Sequence, residues 1–210
     1  TVTIPVQGTL PFRDAPLYVL ADSTQQVVES NKNNNINNTS SACQATPNFA
    51  AFQPVLKWAW TGSNILSDHR QVMSMPIVVR LEDTNGDGKS DEKDIPSVIF
   101  NTFAGYNYEA DGVLRAVSGK DGHELWTVTD PAYRTIPTGQ IAAADIDGDG
   151  FIEIVATRSD GGIVVFDHNG KFKWQNVQPS LNFHWGGPAI ADLDGNGKPD
   201  IIYANKVFSS

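Results

Sequence analysis

A chain of 210 residues with 24 acidic against 15 basic side chains, a formal charge of −9, argues against a binder of nucleic acid or an anionic membrane, both of which need a basic face. The length suffices for one large domain or two small ones, each with a real core. No apolar run approaches the roughly 18 residues of a membrane span. The single cysteine, Cys43, excludes an internal disulfide, and its neighbours Ala42 and Gln44 do nothing to activate a thiol, so it reads as inert or crosslinking. The sequence opens at Thr1 without Met or an apolar leader, as a mature or trimmed product does.

Residues 1–53 differ from the rest and read as an extended N-terminal segment. Val2, Ile4 and Val6 alternate as a half-buried strand does, and Pro5 removes a ladder donor, which points to a sheet edge. Leu17-Tyr18-Val19-Leu20 is a second short strand candidate. Ser30 to Ser41 is polar and Asn-rich, which favours an exposed linker. Asn37 and Asn38 each begin an Asn-x-Ser/Thr sequon, a glycan acceptor where the organism has the machinery.

From Pro54 onward the chain repeats itself. Trp58, Trp126 and Trp174 each close a short apolar strand, and the last two follow tight-turn signals, Asp121-Gly122 and Asn169-Gly170. The interval from Trp126 to Trp174, 48 residues, is close to one blade of a propeller; the 68 residues from Trp58 to Trp126 include insertions such as Asn101 to Asp111. Four short strands are expected within one unit: Gln140–Ala144, Ile152–Thr157, Gly162–Phe166 and Lys171–Trp174. The unit before offers Pro76–Leu81, Ile95–Phe103, Gly112–Val117 and Glu124–Val128, and the unit after offers Pro188–Ala191 and Asp200–Tyr203. No amphipathic helix intervenes. The expectation is all-β: propeller blades of four antiparallel strands over 54–210, two full units plus partial ones.

Three acidic loops share one pattern. They are Asp83-x-Asn85-Gly-Asp87-Gly-Lys89-x-Asp91, Asp145-x-Asp147-Gly-Asp149-Gly-Phe151-x-Glu153 and Asp192-x-Asp194-Gly-Asn196-Gly-Lys198-x-Asp200. Side-chain oxygens at positions 1, 3, 5 and 9, with the carbonyl of position 7, supply the oxygens that a hard cation such as Ca²⁺ takes. Asp/Asn-Gly turns between strands also occur without metal, but three in register, each with a carboxylate at position 9, favour the metal. Asp94, at position 12 of the first loop, is a further candidate ligand, although Pro96 and the β-branched residues beside it oppose the helix of an EF-hand. Three Ca²⁺ ions would bring −9 to −3.

These residues resemble the FG-GAP/VCBS-type repeats of integrin-α-like β-propellers, over roughly Pro54 to Tyr203. The likeness lies in the order of inner strand, acidic loop, second strand and Asp/Asn-Gly hairpin into a Trp-bearing strand. The Phe-Gly and Gly-Ala-Pro signatures are not kept, and Gly186-Gly187-Pro188 is their nearest echo. The resemblance implies a calcium-stabilised propeller on an extracellular or cell-surface protein, with the loop ligands at the positions named. A propeller closes with about four to eight blades, so the chain reads as an incomplete one: a fragment of a longer chain in preference to a subunit completed by other chains.

Trp58, Trp126 and Trp174 recur in register, as packing between blades requires. Trp60 and Trp185 break that register and, with Tyr106, Tyr108 and His184, are candidates for a platform that stacks on sugar rings. No nucleophile elbow, phosphate-cradling glycine loop or zinc motif is present, so no catalytic residue is assigned. The function expected is a non-enzymatic, calcium-stabilised extracellular module of adhesion or assembly with other protein chains. A carbohydrate-binding lectin-like propeller, or an accessory domain of a secreted enzyme, is the alternative.

Overall fold

The computed structural model describes Tyr18–Leu20, Ile36–Asn38 and residues 54–209. The chain divides into two compact units, Thr1–Val55 and Leu56–Ser210. In the first, β1 (Tyr18–Leu20) pairs antiparallel with β2 (Ile36–Asn38). Three residues of the Asn-rich stretch are therefore strand where a linker was expected. Their ladder is made by backbone groups, which asparagine carries as well as valine does. The Val2–Val6 strand and Cys43 lie outside the described residues.

The second unit consists of three antiparallel sheets in simple up-and-down order. Sheet one runs β3 (Ile77–Val79), β4 (Ser97–Thr102), β5 (Val113–Ser118), β6 (Glu124–Thr127). Sheet two runs β7 (Ile141–Ala144), β8 (Glu153–Thr157), β9 (Gly162–Phe166), β10 (Phe172–Val177). Sheet three holds β11 (Ala189–Ala191), β12 (Asp200–Tyr203) and β13 (Lys206–Ser209). Among the described residues the only helical turn is a 3-10 turn at Pro131–Tyr133, capped by Asp130. The first strands lie side by side, β7 next to β3 and β11 next to β7.

Sheet two shows why its sequence reads as unbroken apolar runs. Successive side chains on a strand point to opposite faces, and both faces of this sheet are covered. Ile154, Ala156, Val164 and Phe166 join Leu81, Ile99 and Leu114 in one core against sheet one. Val155, Ile163 and Val165, one step out of phase, join Ile201, Tyr203 and Leu181 in a second core against sheet three. Every residue of β8 and β9 is buried in consequence. Thr135 bridges Gly112 on one side and Arg158 on the other, which stitches sheets one and two together by backbone.

The repeated tryptophans carry the same logic outward. Trp58 donates its indole N–H to the Gly119 carbonyl at 3.0 Å, and Trp126 donates to the His168 carbonyl at 3.0 Å. Each ring lies on the glycine of the following sheet's outer hairpin. A Cβ on Gly122 would fall 2.7 Å from the Trp58 ring, and one on Gly170 would fall 2.6 Å from Trp126. Trp174 packs on the second core. Two expectations need correcting. Residues 54–62 form no strand, because no neighbouring strand pairs with them among the described residues, and Trp58 acts through its indole alone. Sheet three gains β13, which pairs with β12 across a two-residue turn, Ala204-Asn205, with Ala204 at φ 54.

Candidate metal centre

Each acidic loop follows the first strand of its sheet and ends at the second. In the second loop both oxygens of Asp145 accept backbone N–H groups, from Gly148 at 2.7 Å and from Gly150 at 3.0 Å. Asp147 takes the amide of Asp149 at 3.3 Å and Asp149 takes that of Phe151 at 2.8 Å. The third loop repeats this: Asp192 accepts from Gly195, Asn196 and Gly197, Asp194 from Asn196, and Asn196 from Lys198. The curl depends on Gly148 and Gly150 at φ 77 and 90 and on Gly195 and Gly197 at 72 and 84, a region that side chains with a Cβ rarely enter. The amides that fold the third loop, that of Gly197 foremost, also hold the Asp192 carboxyl below its usual range.

The ninth position has a separate task. Glu153, 1% exposed, accepts the Ile146 amide at 2.8 Å, and Asp200, 7% exposed, accepts the Leu193 amide at 3.1 Å. Each locks position 2 of its own loop to the start of the second strand. In the first loop this task passes from Asp91 to Asp94. Asp94 is buried and accepts the Thr84 amide at 2.8 Å, the Asn85 amide at 3.2 Å and the Thr84 hydroxyl at 3.0 Å. Its other oxygen accepts the Asp91 amide at 2.8 Å, the foremost of the bonds that hold its carboxyl low. Asp91 caps Lys93. The sequence contains a signal for this: Asp94-Ile95, Glu153-Ile154 and Asp200-Ile201 each place an acid directly before isoleucine. Counting nine positions from Asp83 passes over it.

Two acidic triads gather among the described residues: Asp145, Asp147 and Asp149, and Asp192, Asp194 and Asp200, each with oxygens within 4.8 Å of one another. In the first loop Asp83 accepts from Gly86, Asp87 and Gly88, and Asn85 from Asp87. Asn85 at position 3 gives this loop one carboxylate fewer than the second loop, as Asn196 at position 5 does for the third. The donor set is hard oxygen throughout, on a backbone already curled by its own amides, and it fits a divalent cation of the Ca²⁺ class. Lys89, Phe151 and Lys198 stand at position 7, with their amides fixed by position 5.

Lys173 complicates the second loop. Its ammonium bonds Asp147 and lies 3.1 Å from Glu153. That hydrogen bond pulls the Asp147 carboxyl below its ordinary range. Partial burial works against the lysine's charge, but the two carboxylates outweigh it and raise Lys173 above the usual range for an ammonium.

The aromatic candidates separate. Trp60 meets Phe100 edge-on at 5.1 Å and lies under the Arg115 guanidinium, 5.7 Å from its centroid, so it serves the first sheet. Tyr106 is 97% exposed. Tyr108 and Trp185 come together, with centroids 6.5 Å apart. Of the proposed platform, Tyr108 and His184 come together with Trp185, His184 by lining the same cleft.

Residues 145–203 match the family described as FG-GAP-like repeat, so the second and third acidic loops fall within a recognised repeat region. Among solved structures, the crystal structure of the V. cholerae biofilm matrix protein Bap1 is similar: 42% identity and a TM-score of 0.66, over 74% of this chain and 26% of that one. The chain thus spans about a quarter of that protein's length. No curated protein matches the chain. No described helix is long and apolar enough to cross a membrane.

Proposed function

We propose that the three sheets are successive blades of a calcium-stabilised β-propeller, and that the protein is a non-enzymatic extracellular module of adhesion or matrix assembly. One observation carries the reading: the first strands β3, β7 and β11 stand side by side, and each leads into an acidic loop that ties it to the second strand. Three blades are fewer than the roughly four to eight of a closed ring; further residues of a longer chain, or other chains, supply the rest. The repeat match and the likeness to a biofilm matrix protein support an extracellular, assembling role.

Calcium, when bound, supplies positive charge that crosslinks the carboxylates of one strand junction. Up to three ions are held by the loop ligands, with Asp94 in the place first given to Asp91. The test is thermal unfolding in millimolar CaCl₂ and in EGTA. A ligand at about a hundred times its Kd adds roughly 2.7 kcal/mol, or about 5–10 °C for a unit of this size. Identical midpoints would remove the metal from the proposal. For assembly, native mass spectrometry and pull-down from extracellular matrix should show multimers or bound protein partners. A lone monomer without partners counts against an assembling role.

A further inference from the structure

A cleft of about 990 Å³ opens between the 180–187 loop and the β12–β13 hairpin, away from the acidic loops. Its floor is fixed by the second core: Tyr203 is 1% exposed, and Phe183 meets it edge-on at 6.2 Å. Trp185, by contrast, is 67% exposed. A flat aromatic in water is ordinarily a mobile side chain on a loose loop, but the backbone here is pinned on both sides of it. Thr138 donates its hydroxyl to the His184 carbonyl, and the Gln140 amide donates to the Gly186 carbonyl at 3.0 Å. The loop lies so close to the sheet that a Cβ on Gly187 would fall 2.5 Å from the Gln140 Cβ. Folding therefore holds an indole out in solvent on a fixed mount, with Tyr108 beside it.

The surroundings indicate what it meets. Asn182, Asn205 and Lys206 are exposed around the cleft, no carboxylate lines it, and Lys206 is its one full charge in a chain of −9. A sugar ring offers an apolar C–H face bordered by hydroxyls, which an aromatic plane edged by side-chain amides complements. The lining is more apolar than polar, as the C–H face of a sugar requires, and its polar side chains include Asn182, His184, Asn205 and Lys206. We propose that the cleft binds an acidic saccharide, with Trp185 stacking on a ring, Asn182 and Asn205 hydrogen-bonding its hydroxyls, and Lys206 pairing with its carboxylate or sulfate. This goes beyond the calcium and assembly reading, because no loop ligand lines the cleft.

The experiment uses the full chain in saturating CaCl₂ on an array of uronic, sulfated and neutral glycans, then tryptophan fluorescence titration with the best binder and with poly-glutamate. Acidic glycans should bind, Trp185→Ala should weaken them about tenfold or more, and Lys206→Glu should weaken acidic glycans selectively. Tyr106→Ala, at a side chain outside the cleft, should leave binding unchanged. Unaltered unfolding midpoints certify that the exposed substitutions fold. The proposal is overturned if no glycan binds, if Trp185→Ala binds like the parent, or if poly-glutamate binds as well as the glycan, which would reduce the site to charge alone. EGTA midpoints report separately on calcium, so the two readings fail independently.

Discussion

Replacing Arg115 with methionine should be among the most damaging single changes in sheet one. The side chain is fully buried on β5, yet every nitrogen is used. Nε donates to the Thr102 hydroxyl at 2.9 Å, Nη1 to the Thr127 hydroxyl at 2.8 Å, and Nη2 to the carbonyls of Ile65 and Leu66 at 2.8 and 3.1 Å. Glu124 lies 3.7 Å away, and the guanidinium covers the Trp60 ring. Burial lowers its pKa, and the Glu124 charge works in the other direction. Methionine keeps much of the volume but deserts two carbonyls and two hydroxyls, and it releases the segment around Ile65 and Leu66 from the sheet. Truncating a buried, hydrogen-bonded charge costs about 3–5 kcal/mol, which for a unit of this size is roughly 10 °C. Arg115→Lys, which retains charge without the fork, should fall between. Chemical denaturation gives the free energy, and hydrogen exchange over residues 63–71 should show that segment opening first. A loss below about 1 kcal/mol, with exchange unchanged, would refute the idea that this arginine fastens the segment.

Gly170→Ala should cost about 2–4 kcal/mol, because it combines a positive φ with a Cβ driven into Trp126; denaturant midpoints check this, and Trp126→Leu should recover part of the loss. Asp94→Ala should lower the unfolding midpoint more than Asp91→Ala, in CaCl₂ and in EGTA alike; the opposite order would return the ninth-position task to Asp91. In EGTA, the Asp147 carboxyl should titrate below the ordinary aspartate range and move upward in Lys173→Met, as followed by NMR. The sign follows: a depressed carboxyl contributes stability above its unfolded pKa and loses it as pH falls through the folded one. Acid should therefore weaken the parent at this site more than Lys173→Met.

The sheets were legible because their signals are local. Period-two alternation, unbroken apolar runs and Asp/Asn-Gly turns mark eleven of the thirteen described strands within a few residues. What escaped detection depended on partners distant in sequence. β13 was missed because its turn is Ala204-Asn205, with a left-handed alanine where the familiar signal is Asn-Gly. The Trp58 strand was over-read because a tryptophan that packs on a distant glycine looks, in sequence, like one closing a strand. Counting from the first acid places Asp94 outside the nine-position pattern, whereas the fold measures the position back from the strand that follows. In the sequence Trp60 and Trp185 share only their departure from the register, and nothing local marks Arg115 as the neighbour of Trp60.

The indole-on-glycine contacts also decide where such a chain can change length. An acidic loop can grow, as the first one does, provided a carboxylate still precedes the isoleucine. The outer hairpins have no such freedom: a residue added beside Gly122 or Gly170 would displace the surface on which Trp58 or Trp126 rests. Insertions carrying new recognition surfaces should therefore accumulate at the acidic rim and between sheets, while the outer turns stay at one size.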